Sequence, residues 1–232
     1  MILHELYTVF SFFDAIAVVA ILSAWIWIGW RIEHPASNRP SVSRIVNSYR
    51  RDWMTQLVTR QPRIFDSAVL STLREGPSFF ASAAMIAIGG GLALIGDPSR
   101  LAGVTRALGQ EAPPNLVWQT KILLSVLLLV SAFLKFVWSH RLFGYCAIVM
   151  ASVPNDTADP TANPRAAKAA EINITAARSF NQGLRAVYFA LAALAWLAGP
   201  LPLLVATAVT FWVLWRREFA SRSREVLLNP DL

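Results

Sequence analysis

Charge is scarce in this sequence, and so are the residues on which metal and disulfide chemistry depend. Only 15% of the 232 residues are charged, against about 25% in a soluble domain, which points to lipid rather than water as the solvent. A single cysteine, Cys146, excludes an intramolecular disulfide and a cysteine-built metal cage. The three histidines, His4, His34 and His140, stand apart from one another, so neither a metal nor another cofactor is expected. The sequence lacks a phosphate-cradling Gly-Lys-Ser loop, a His-Glu-x-x-His helix and a Gly-x-Ser-x-Gly elbow. Met1 to Phe12 contains no Lys or Arg, and no small-residue cleavage site follows. The first apolar run therefore reads as a retained anchor rather than a secretion signal.

What the chain has instead is apolar residues, 55% of the total, gathered into long blocks. A helix needs about 20 such residues to cross about 30 Å of hydrocarbon. The spans expected are residues 6–30, 78–95 and 117–138, and two short arms, 184–198 and 201–215, separated at Gly199-Pro200. A proline pair cannot continue a regular helix. The last block therefore reads as a hairpin, giving five membrane segments, or as one kinked helix, giving four. The expected fold is an all-α integral membrane bundle of four to five helices in a single membrane domain.

Charge sets the expected orientation. The formal balance is +7, with 21 Lys and Arg against 14 Asp and Glu. In a membrane protein this excess marks cytoplasmic loops rather than nucleic-acid binding. The basic segments 31–77 and 139–183 are placed inside, with amphipathic helices on the inner leaflet, the N-terminus outside and the C-terminus cytoplasmic. Gly96 to Leu116, with Arg100, Arg106, Pro113 and Pro114, reads as a short external loop.

Three stretches carry a family resemblance. They are Lys135-Phe-Val-Trp-Ser-His-Arg-Leu-Phe-Gly-Tyr-Cys146, Phe180-Asn-Gln-Gly-Leu-Arg-Ala-Val-Tyr-Phe189, and Trp196 followed by Gly199-Pro200. With Tyr49-Arg-Arg-Asp-Trp53 and Asp14, they resemble the bacterial branch of the membrane family called "domain of unknown function 599". The resemblance covers nearly the whole chain and implies a multi-span protein of the bacterial inner membrane. It brings no activity, substrate or catalytic residue.

Candidate site residues come from placement. Asp14 and Lys121 are the intramembrane charges, at comparable depth in the first and third spans. An ionisable group near the bilayer centre costs at least about 2.5 kcal/mol and needs a partner or water. The pair reads either as part of an ion path or as a buried structural contact. Lys135, Arg141, Arg178 and Arg185 mark the inner leaflet, as snorkelling anchors or as a pocket for an anionic headgroup. Tyr49, Arg50, Arg51 and Trp53 belong to a segment in which Ile45, Tyr49, Trp53 and Leu57 recur every four residues, expected to lie on the membrane surface. Ala83, Ala87 and Gly91 form a small-residue face for helix packing, and the run Gly89 to Gly91 could instead unwind the helix.

Three functions follow in order. The first is an oligomeric ion or small-solute channel or transporter, with Asp14 and Lys121 on the path. The second is a non-transporting scaffold or accessory subunit that binds anionic lipid or a partner protein through its basic cytoplasmic face. A lipid-modifying enzyme ranks third, since one carboxylate inside a span supplies no acid and base pair.

Overall fold

The computed structural model describes residues 10–36, 38–97 and 115–229, and among them it contains helices and no strand. In chain order the helices are α1 (Phe12–Glu33), α2 (Val42–Thr59), α3 (Ile64–Gly96), α4 (Asn115–Ala151), α5 (Ala162–Ala193), a 3-10 turn (Leu194–Ala198), α6 (Pro200–Phe219) and α7 (Arg222–Leu228). Three of them, α1, α3 and α4, are long and apolar enough to cross a membrane. The expected external loop lies almost wholly outside the described residues, as do residues 6–9 of the first span.

Contacts divide the chain into two compact units. One comprises Met1–Trp30, Ala83–Ala132 and Leu184–Trp215; the other comprises Arg31–Ser82, Phe133–Gly183 and Arg216–Leu232. By sequence the first holds four Lys and Arg against four Asp and Glu, and the second 17 against 10. The whole formal excess of +7 therefore lies in the second. They are called the neutral unit and the basic unit below.

In the neutral unit α1 serves as a ruler for the last apolar block. Arg185, on α5, lies against Gly29, near the C-terminal end of α1. Eleven residues later Trp196 bonds to Asp14, in the first turn of α1. Beyond Gly199, Trp215 of α6 stacks on Trp27 at 6.0 Å between ring centroids, near the C-terminal end of α1 again. The chain therefore runs up α1 and back down, reversing at Gly199-Pro200. Gly199 has φ +122°, a conformation that L side chains avoid. Pro200 can open α6 because the first helical position has no intrahelical N–H bond to lose.

Helix α3 meets α4 in antiparallel fashion in this unit. Gln119 Nε2 donates to the Ile95 carbonyl at 3.0 Å, and a Cβ on Gly91 would lie 2.5 Å from Val126 Cγ2. The run Gly89 to Gly91 stays helical, so its use is close approach at Gly91. Ala84, one position beyond Ala83, is the buried residue of that face, while Ala83 and Ala87 are exposed.

The basic unit packs α2 against α3, α4 and α5. Ser41, fully buried, caps α2 by accepting from Arg44 N at 3.3 Å, while its hydroxyl donates to the Ile32 carbonyl at 2.8 Å. The α2 residues that enter the core are Met54, Leu57 and Val58, at the helical spacing of one face. Tyr49 stands 52% exposed, so the buried stripe is rotated from the one read in the sequence. Phe80, Phe136 and Phe180 form a ring cluster at 5.5 to 5.8 Å between centroids. A Cβ on Gly183 would lie 2.6 Å from Phe136 Cε1, so only glycine admits the ring there. Helix α3 begins at Ile64 and passes through Pro77, earlier than the apolar run that starts at Ser78. Its first four turns are amphipathic, carrying Asp66 and Leu70 inward.

Candidate functional site

The two charges expected within the membrane meet at one indole. Ser11 and Asp14 form a capping box at the start of α1: Asp14 N donates to Ser11 Oγ at 3.2 Å, and Ser11 N returns a bond to Asp14 Oδ2 at 3.0 Å. Ser11 Oγ also donates to Oδ2, at 2.8 Å. The other oxygen, Oδ1, accepts the Trp196 indole N–H at 2.7 Å. Lys121 sits over the rings of Trp118 and Trp196, 5.9 and 6.0 Å from their centroids, within cation–π range. Trp196 thus joins both charges.

The four cations expected at the inner leaflet differ in setting. Lys135, Arg141 and Arg178 are exposed, and Arg141 reaches Tyr145 Oη at 3.0 Å. Arg185 is 6% exposed and belongs to the neutral unit, beside Gly29.

The α2 residues expected on the membrane surface are engaged with protein. Arg50 donates to Asn173 Oδ1, and Asn173 is fully buried beside the Cys146 thiol. Burial lowers the Arg50 guanidinium, against the pull of Cys146, and the same burial pushes the Cys146 thiol up to about 11. Arg51 pairs with Glu171 at 2.7 Å, Tyr49 Oη donates to the Leu227 carbonyl at 3.4 Å, and Trp53 Nε1 donates to Asp66 Oδ1 at 2.7 Å. At the start of α2, Ser43 donates to both oxygens of Glu218, at 3.1 Å from N and 3.0 Å from Oγ.

The basic unit contains an open cavity of about 370 Å³. Leu57, Leu70, Phe143 and Met150 form apolar wall, and Arg63, Asp66, Ser67, Ser71, Arg74 and Asn155 supply polar groups. Asp66 is 1% exposed; its Oδ1 takes Trp53 and Arg60, and its Oδ2 has no partner. Arg63 donates from Nη1 to the Val153 carbonyl at 2.6 Å and from Nη2 to those of Pro154, at 2.7 Å, and Val58, at 3.3 Å. Its Nε is buried without a partner. Arg74 contacts His140 Nε2 at 3.3 and 3.4 Å, which makes that nitrogen the acceptor, since guanidinium only donates.

Sequence reasoning missed Asp66, Arg63 and Arg74. They lie in the segment 31–77, whose charges served only to place it inside, and the available signal was an Arg60, Arg63, Asp66 cluster directly before a helical pattern. Among the described residues no group of three His, Cys, Asp or Glu could hold a metal ion.

A family model described as "Protein of unknown function, DUF599" matches residues 16–223. No curated protein and no solved structure matches the chain.

Proposed function

Since the chain belongs to the DUF599 family of proteins of unknown function, which supplies no activity to transfer, we propose a reading from its charge distribution. The protein is a non-transporting membrane scaffold that sits in the cell membrane and uses a basic cytoplasmic face to hold anionic lipid headgroups. The observation that carries this is the segregation of charge: the neutral unit balances to zero, and the basic unit holds the entire excess. Positive residues stay on the cytoplasmic side, and each Lys or Arg near an anionic leaflet contributes about 1 kcal/mol of attraction. Exposed Lys135, Arg141 and Arg178 are among the cations that would serve it.

The reversal at Gly199-Pro200 supports five membrane segments, N-terminus outside and C-terminus inside. The contacts of Asp14 and Lys121 support a structural part for both. Each Asp14 oxygen already accepts a bond, and the Lys121 charge lies over two indole rings. These contacts shift weight from the channel or transporter reading to the scaffold.

The test places purified protein in nanodiscs of neutral lipid and adds anionic lipid in steps. The melting temperature should rise, the rise should shrink with salt, and joint neutralisation of Lys135, Arg141 and Arg178 to Gln should reduce it. Selective ion flux in liposomes that Asp14→Asn alters in a folded sample would overturn the scaffold in favour of transport.

A further inference from the structure

Two residues that line the cavity in the basic unit carry buried, unpaired polar atoms of opposite character. Asp66 Oδ2 is a buried acceptor, while Arg63 Nε is a buried donor. The charge around them is unequal. Asp66 is answered by Arg60, whereas Arg63 is held by backbone carbonyls and Arg74 by a histidine nitrogen. A ligand that satisfies this lining carries a donor with positive charge for Asp66 and an anionic group for the two guanidiniums. Leu57, Leu70, Phe143 and Met150 would cover attached carbon.

We propose that this cavity binds a phosphoethanolamine head, either of a phospholipid or of a free phosphate ester. The primary ammonium donates to Asp66 Oδ2, and phosphate oxygens accept from Arg63 Nε and from Arg74. Guanidinium is suited to the phosphate because its donors are fixed in a plane. The ammonium must carry N–H bonds, because a buried carboxylate oxygen left without a donor is costly and a quaternary nitrogen supplies none. The cavity therefore distinguishes phosphoethanolamine from phosphocholine.

The experiment uses the full chain in phosphatidylcholine nanodiscs. One arm titrates soluble phosphoethanolamine, the other mixes phosphatidylethanolamine into the disc, and phosphocholine is the control. Readouts are the melting temperature and indole fluorescence, since Trp53 bonds to Asp66. At least one ethanolamine arm should bind, about tenfold or more tighter than phosphocholine, the change expected for one hydrogen bond to a charged group. A response only in the lipid arm identifies a membrane headgroup; a response only to the soluble ester identifies a free metabolite. Asp66→Asn should abolish the preference, since its amide can still accept from Trp53 while its nitrogen cannot accept the ammonium. Should that variant fail to fold, Ser71→Phe decides: Ser71 is exposed on the cavity wall, so the change should block binding and leave the unliganded melting temperature unmoved. Absence of binding in both arms, equal binding of phosphocholine, or binding that survives Ser71→Phe would overturn the proposal.

Discussion

Trp196 donates its indole N–H to Asp14 at 2.7 Å across 182 positions of sequence, and this bond ties the turn of the last apolar block to the start of the first helix. Trp196→Phe keeps a ring and deletes the donor, leaving Asp14 Oδ1 buried without a partner. The expected loss is about 1–3 kcal/mol of stability, read from unfolding in micelles. Asp14→Asn keeps one acceptor for the indole but turns an amide NH2 towards the Ser11 N–H that Oδ2 accepts from, so it should be destabilising as well. Full stability of either variant would contradict the arrangement.

The turn itself depends on Gly199. At φ +122° and ψ 174° an alanine is strained, at a cost of about 1–3 kcal/mol. Gly199→Ala should lower the melting temperature, whereas the same change at Gly89, where a Cβ meets nothing within 4 Å, should not. Equal effects at the two positions would remove the argument for a tight reversal.

These helices and the break between them were legible because the apolar blocks and Gly199-Pro200 are local signals. Asp14 and Lys121 were legible as charges in an apolar setting, although their shared partner, Trp196, was not, because the bond spans nearly the whole chain. The cavity was opaque for a different reason. Arg63, Asp66 and Arg74 look like ordinary loop charges until α3 is seen to start at Ile64 and turn Asp66 inward. Of the α2 stripe, Trp53 and Leu57 pack towards the core, joined there by Met54 and Val58, while Tyr49 stands exposed.

Close packing in the basic unit offers a rescue test. Gly183→Ala brings a Cβ within 2.6 Å of the Phe136 ring, which Phe80 and Phe180 hold in place. Overpacking of this kind costs about 1–3 kcal/mol. Phe136→Leu combined with Gly183→Ala should recover part of that loss, giving a non-additive double-mutant cycle. Strict additivity would mean that the two positions do not touch.

Cys146 predicts a pH dependence. Burial raises its thiol from 9.0 to about 11 in the folded protein. The folded state therefore favours the protonated form, and its stability is full below about pH 9 and falls as pH rises towards 11. Cys146→Ala should remove that part of the alkaline loss. Native protein at pH 8 should resist thiol alkylation, because the thiolate is the reactive form, and react once unfolded. Rapid alkylation of the folded chain would contradict the burial.

The central claim is that the basic segments share the cytoplasmic side while the neutral hairpin turns at the opposite one. Reporter fusions after Arg60, after Arg106 and after Leu232 test it most directly. The account predicts inside, outside and inside; an outside reading at Leu232 would contradict the hairpin and, with it, the gathering of the basic charge on one face of the membrane.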